Sequence, residues 1–128
     1  MVSPDFSFPA RLRIKSKKDI ELLFEHEQSC FVHPLLLKYH ITKLPSEQLS
    51  APQFAVSVPK RAFRKAHDRN LLKRRLREAY RLNWKNHFPE MSAYKVLLMF
   101  IYVGKQKMEY CEIEKGLVQL LKKINESN

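Results

Sequence analysis

Residues 54–80 read FAVSVPKRAFRKAHDRNLLKRRLREAY, and two periodicities follow each other within this stretch. Positions 54–58 alternate between larger and smaller side chains, which predicts a strand, and Pro59 ends it. Asp68 is a suitable N-cap, and the apolar residues after it recur every three to four positions. The stretch therefore predicts a strand, a basic connection and a long helix that runs to about His87.

The predicted helix has an apolar stripe beside a basic face. At about 100° per residue the stripe consists of Leu72, Leu76, Ala79 and Asn83, with Leu71 and Leu82 on its shoulder. An adjacent face carries Arg69, Lys73 and Arg77, extended by Asn70, Arg74 and Arg81. A solvated charged face normally mixes acids with bases at i+4, but on this helix only Glu78 offers an internal pair. The basic face is thus expected to meet a partner.

The segments on either side complete a mixed fold. Ser16 followed by Asp19 resembles a capping box, and it starts a short helix over about 17–26. Further predicted elements are strands over 29–32 and 33–41, a central strand over 94–103, and a last helix carrying Ile113, Leu117, Leu120, Leu121 and Ile124. Residues 1–11 predict an irregular arm. The order α-β-β-β-α-β-α predicts a single-domain α+β sandwich over residues 1–128.

The charge of the chain is concentrated around the predicted helix. Between positions 60 and 87 there are eleven basic and two acidic residues, a net +9 of the formal +11 carried by the whole chain. Such an excess indicates a polyanionic partner, and nucleic acid fits best because arginine grips phosphate oxygens with paired hydrogen bonds. The candidate RNA-binding residues are Lys60, Arg61, Arg64, Lys65, Arg69, Asn70, Lys73, Arg74, Arg77 and Arg81.

Several other functional classes lack their usual sequence features. No segment reaches the roughly 18 apolar residues that a membrane span needs. The five histidines show no zinc spacing with Cys30 or Cys111, and no paired carboxylate motif accompanies the basic helix. We therefore expect no catalytic residues and no metal site in the protein, and two ordinary reduced cysteines.

Residues 54–61, FAVSVPKR, and 68–80, DRNLLKRRLREAY, resemble the signature of the bacterial ribonuclease P protein component. That signature is a strand ending in S-V-x-K-[KR], a basic turn, and R-N-R-x-K-R-x-x-R-E-x-[FY]. Phe8-Pro9 and Arg13 are similar to the opening of the family. The order of elements matches across nearly the whole chain.

The resemblance implies a ribosomal-protein-S5-domain-2-like fold with a left-handed βαβ crossover through the basic helix. It also implies two RNA surfaces. The basic helix would bind the catalytic RNA, and a cleft between the first helix and the sheet would hold the 5′ leader of precursor tRNA. Phe24, Tyr39 and Phe54 are the candidates for the wall of that cleft, because splayed bases stack on aromatic faces.

By the same resemblance the protein is a cytoplasmic accessory subunit in an endonucleolytic ribonucleoprotein that matures the 5′ end of tRNA. It would bind no cofactor alone, and the hydrolytic chemistry and Mg²⁺ would belong to the RNA. A monomer within the ribonucleoprotein, with no membrane partner, is the simplest expectation. Two features depart from the family: Leu71 stands at the second arginine of R-N-R, and the preceding turn lacks glycine.

Three alternatives stay open at the level of sequence. A ribosomal or other structural RNA-binding protein could use the same helix without a role in processing. A stand-alone nuclease would need carboxylates or a nucleophile in a cluster. A DNA-binding module would need a helix that reads base edges.

Overall fold

The computed structural model describes residues 12–25 and 28–127. The elements are α1 (Lys17–Glu25), β1 (Ser29–Val32), β2 (Leu35–Lys43), β3 (Gln53–Ser57), α2 (Ala66–Asn83), a 3-10 turn (Trp84–Asn86), β4 (Tyr94–Tyr102) and α3 (Tyr110–Ser127). The predicted order of helices and strands is confirmed. The irregular arm predicted over residues 1–11 lies outside the described residues, as does the predicted end of the first helix at residue 26.

The four strands form one sheet in the order β1-β2-β4-β3. β1 pairs with β2 and β2 pairs with β4 in antiparallel fashion, whereas β3 and β4 are parallel. α2 connects this parallel pair, so β3-α2-β4 is a β-α-β crossover between neighbouring strands. β3 is an edge strand, and Arg13 forms a parallel bridge to Phe54 beside it.

β4 is covered on both faces, as its unbroken apolar run predicts. Val96, Leu98, Phe100 and Tyr102 belong to the larger core, which they share with buried residues of α2 and α3. Leu97 and Met99 point the other way and pack with Leu23 of α1 and Ile14. The sheet therefore lies between α1 on one face and α2 with α3 on the other.

α1 begins as its capping motif predicts. The Ser16 hydroxyl accepts a hydrogen bond from the Asp19 amide at 3.4 Å. The Asp19 carboxylate does not close the reciprocal half of a capping box, because it accepts a hydrogen bond from Lys95 Nζ of β4 at 2.8 Å. This ion pair ties the first turn of α1 to the sheet.

α2 begins earlier than predicted. Its first residue is Ala66, and Lys65 occupies the N-cap position with no side-chain cap, so the assignment of Asp68 as N-cap was wrong. The Lys65 carbonyl already accepts hydrogen bonds from the amides of Asp68 and Arg69, which places Asp68 inside the first turn. Its carboxylate is thereby available to Lys107, whose Nζ lies 3.1 Å away.

The buried stripe of α2 consists of Leu72, Leu76, Ala79 and Tyr80. Three of these were predicted, and Tyr80 takes the place assigned to Asn83. Asn83 is half-buried, and its side-chain amide donates to the Ala79 carbonyl at 2.7 Å and to Glu114 of α3 at 3.0 Å. The polar residue thus links α2 with α3 instead of filling the core.

Candidate RNA interface

The ten predicted RNA-binding residues all lie on the loop before α2 or on α2 itself. Seven are exposed: Lys60, Arg61, Arg64, Lys65, Asn70, Arg74 and Arg81. Arg69, Lys73 and Arg77 are half-buried. α2 turns Leu72 and Leu76 into the core, so its polar side forms a basic surface continuous with the loop. We call these ten residues the basic surface.

The positive charges of the basic surface are largely uncompensated within the protein. The ion pairs among the described residues are Arg81–Glu78, Lys85–Glu90, Lys95–Asp19 and Lys107–Asp68. Arg81 is the one member of the basic surface in this set, and it pairs with the acid that the sequence indicated. In the described part of the chain, the other cations of the surface make no ion pair with a carboxylate, so they are available to phosphate.

Arg69 serves the loop as well as the surface. Its Nη1 donates to the backbone carbonyl of Phe63 and to that of Arg64, each at 2.8 Å. The Phe63 amide in turn donates to the Pro59 carbonyl, and the Phe63 ring is buried. The guanidinium therefore holds the loop that carries Arg61 and Arg64. A guanidinium has five N–H donors, so these two bonds leave others for a further partner.

Arg13 lies beside the basic surface, although the set of residues predicted from the sequence omits it. It is exposed and bridges to β3, and it lines a shallow pocket of about 160 Å³ together with Arg77. Burial lowers the pKa of Arg77, and the neighbouring charge of Arg13 lowers it further. Two like charges side by side favour an anion between them. The sequence named Arg13 only as part of a family-like opening, because its position beside α2 depends on the packing of the segment before α1 against β3.

The three aromatic residues predicted to line a leader cleft do not meet. Tyr39 and Phe54 both pair with Leu98 of β4, so they face α2 and α3. Phe54 is 3% exposed and stacks on Tyr80 with ring centroids 4.1 Å apart. Phe24 belongs to α1 on the opposite face of the sheet. The prediction of a common wall is therefore wrong, because it grouped residues from two faces.

The sheet face beside α1 carries a different pair of exposed aromatic rings. Phe24 is 53% exposed and Phe31 is 52% exposed. Phe31 pairs directly with Leu36, and Lys38 lies two residues further along β2. Phe31, Leu36 and Lys38 therefore point to the same face of the sheet. Lys38 Nζ lies 5.4 Å from the centroid of the Phe24 ring. We call Phe24, Phe31 and Lys38 the α1-side strip.

Phe31 was missed by the sequence analysis. Because side chains alternate along β1, Phe31 and Cys30 point to opposite faces of the sheet. The turn at 33–34 sets the register of β1 against β2. That register was the signal that could have found it, since it puts Phe31 on the same face as Lys38 and not with Tyr39.

A family model described as Ribonuclease P matches residues 8–125 of this chain. The chain belongs to the ribonuclease P protein family. It is 30% identical over 125 residues to the ribonuclease P protein component of Porphyromonas gingivalis, and this alignment covers 94% of the chain and 88% of the relative. It is also 30% identical over 122 residues to the ribonuclease P protein component of Pseudoalteromonas translucida, covering 95% and 80% respectively.

Solved ribonuclease P proteins share the fold. The protein from Thermotoga maritima superimposes with a TM-score of 0.67 at 22% identity, covering 87% of this chain and 96% of that one. The protein from Staphylococcus aureus gives 0.64 at 22% identity, covering 88% and 94%. The predicted α+β class is confirmed, and the comparisons do not favour a ribosomal or other structural RNA-binding protein.

In this ribonuclease P protein, Leu71 replaces an arginine of the family signature, and the structure shows which residues surround it. Leu71 is half-buried, while Arg74, one turn later on α2, is exposed. Arg75, also on α2, donates from its Nη1 to the Met108 carbonyl and so braces the turn before α3. Arg64 and Lys65 in the preceding loop are exposed, so they are accessible as additional cations.

Two further findings bear on other activities. In residues 12–25 and 28–127, no group of three or more His, Cys, Asp or Glu side chains could hold a metal ion. In the same part of the chain, no helix is both long and apolar enough to cross a membrane.

Proposed function

We propose that this chain is the RNA-binding subunit of ribonuclease P, and that its basic surface binds the catalytic RNA. The observation that supports this most directly is that, within the described residues, every cation of the surface except Arg81 lacks a carboxylate partner. Each phosphate that such a cation neutralises releases counterions, which drives association. Cations that do not pair with the protein's own carboxylates can still neutralise phosphates in this way.

The α1-side strip is our candidate for binding the 5′ leader of precursor tRNA. Exposed aromatic rings provide stacking surfaces for unpaired bases, and each stacked base contributes about 1–3 kcal/mol. Phe24 and Phe31 provide such rings, and Lys38 places a cation beside them for a phosphate. The strip lies on the face of the sheet opposite to α2, so the two RNA surfaces occupy different sides of the protein.

Hydrolysis is assigned to the RNA partner. Mg²⁺ usually binds through phosphate oxygens, water and at most one or two carboxylates, and the RNA partner would supply those phosphate oxygens. The protein would contribute charge and positioning. It would act in the cytoplasm, and one copy per ribonucleoprotein is the simplest expectation.

Reconstitution tests this proposal. Purified protein is added to the cognate ribonuclease P RNA with precursor tRNA at low Mg²⁺, and cleavage is followed with and without the protein. We expect the protein to stimulate cleavage and to be inert without the RNA. Cleavage by the protein alone, or no stimulation at any Mg²⁺ concentration, would overturn the assignment.

A pull-down of RNA from cells distinguishes the remaining alternative. Recovery of ribonuclease P RNA supports the proposal. Recovery of ribosomal RNA in its place supports a structural RNA-binding role.

A further inference from the structure

A second cavity lies beside the basic surface. It has a volume of about 520 Å³ and is lined by Pro59, Arg61, Ala62, Tyr102, Val103 and Lys105. This volume falls within the range of about 300–1,000 Å³ that is typical of small-molecule sites. The lining residues come from two segments that are distant in the sequence: the loop before α2, and the end of β4 with the loop that follows it.

The cavity combines an apolar floor with two cations. Pro59, Ala62, Tyr102 and Val103 supply the apolar surface, and Val103 is 41% exposed. Arg61 and Lys105 are exposed at its rim, and neither is in an ion pair with another described residue. A flat apolar body attached to negative charge fits this combination, and an unpaired nucleotide has both parts.

Both walls of the cavity are held in place before any ligand arrives. Arg69 fixes the first loop through the carbonyls of Phe63 and Arg64. The second loop is fixed to α2 by the Lys107–Asp68 ion pair, and the Tyr102 hydroxyl accepts a hydrogen bond from the Met108 amide at 2.9 Å. Because the site is preorganised, a ligand loses less free energy in ordering the protein.

We propose that this cavity binds one unpaired nucleotide of the RNA partner. The base lies against Pro59, Ala62 and Val103, and the adjoining phosphates bind Arg61 and Lys105. This inference rests on the proposed function, since the cavity adjoins the basic surface at Arg61. The nucleotide belongs either to the catalytic RNA or to precursor tRNA, and the chemistry of recognition is the same for both.

Val103→Trp tests the inference because it fills the cavity without changing a charge. Binding of the full-length protein is measured with the catalytic RNA alone and with precursor tRNA in the reconstituted enzyme. We expect the affinity for one of these two RNAs to fall about tenfold, in line with the loss of one base contact. The RNA whose binding is weakened is the one that supplies the nucleotide. Leu49→Trp is the control, since Leu49 is an exposed apolar residue away from the cavity, and it should bind like the wild type.

Two further variants keep the test independent of one bulky side chain. Val103→Asp places a small negative charge at the same exposed position and should also weaken binding, with Leu49→Asp as its control. Lys105→Ala should lower the slope of log K against log salt by about one. Circular dichroism and thermal unfolding establish that each variant is folded.

The outcomes separate the inference from the proposed function. Wild-type binding and stimulation together with unchanged binding by the folded Val103 variants would overturn the nucleotide site alone. Failure of the wild-type protein to bind either RNA would overturn both.

Discussion

The guanidinium of Arg69 lies 2.8 Å from the backbone carbonyl oxygen of Phe63, six residues earlier in the chain. A residue on the RNA-facing side of α2 is thus also the brace of the loop that precedes the helix. A phosphate contact alone would need only the charge, whereas bracing both carbonyls also needs the reach of the arginine side chain, whose Nη1 donates to each of them. The two roles can therefore be separated by substitution.

Arg69→Lys should retain the charge but loosen the loop. We expect faster hydrogen exchange at the amides of Ala62 and Phe63, which donate to the Pro59 carbonyl, in both Arg69→Lys and Arg69→Ala. Lys73→Ala is the control, because it removes a charge one turn later without touching the loop. Unchanged exchange in the Arg69 variants would show that the brace does not order the loop.

Asp19→Asn should destabilise the protein by about 1–2 kcal/mol. The Asp19 carboxylate is nearly buried and pairs with Lys95 at 2.8 Å, but Lys95 is about one-third exposed, so the loss should be less than for a fully buried pair. Denaturant unfolding of the two single variants and of Asp19→Asn with Lys95→Met gives the coupling energy. A coupling near zero would mean that the pair does not hold α1 to the sheet.

Arg77→Ala and Arg13→Ala should each reduce the salt dependence of binding to the catalytic RNA. Each change removes a cation that is unpaired within the described residues, and the slope of log K against log salt should fall by about one. Arg81→Ala is the matched control, because Arg81 already pairs with Glu78 and should change the slope less. A slope equal to that of the wild type in the Arg13 and Arg77 variants would argue against a phosphate contact at these residues.

Phe31→Ala should weaken binding of precursors with long leaders by about 1–3 kcal/mol, the contribution of one stacked base. Because Phe31 is exposed, the substitution should cost little stability. Fluorescence anisotropy with long-leader precursor and with mature-like tRNA makes the comparison. The same loss for both RNAs would exclude a role specific to the leader.

Phe54→Ala should destabilise the fold by about 3–5 kcal/mol, which is typical of a large-to-small change in a well-packed core. The ring is buried, stacks on Tyr80 and lies beside Phe100. Urea unfolding measures the cost, and Phe24→Ala serves as an exposed comparison. A stability close to that of the wild type would contradict the placement of Phe54 in the core.

The local sequence pattern was sufficient to predict the helices, the strands and the basic surface. The strands around residues 35–41 and 94–102 follow from their alternating and continuous apolar runs, and the leucines of α2 follow from helical spacing. The uncompensated charge of α2 could also be predicted, since acids are nearly absent from that segment of the sequence. These properties depend on neighbours within a few positions, and so they are present in the sequence of each element.

The start of α2 and the aromatic residues of the leader surface could not be obtained in this way. Asp68 has the chemistry of an N-cap, but backbone hydrogen bonds to the Lys65 carbonyl start the helix earlier. The sequence shows aromatic rings on strands and on α1, yet it does not show which face of the sheet each ring occupies. Tyr39 and Phe54 were therefore grouped with Phe24, from which the sheet separates them.

Contacts between residues that are far apart in the sequence are decided by the tertiary structure alone. Arg13 reaches Arg77 because the segment before α1 lies along β3, and Phe31 joins Lys38 because β1 pairs with β2 in one register. A shift of one residue in that register would reverse the face of every side chain in the strand, and no short stretch of sequence contains this information. The elements and their charge thus follow from local periodicity, whereas the arrangement of the RNA surfaces depends on how distant segments pack.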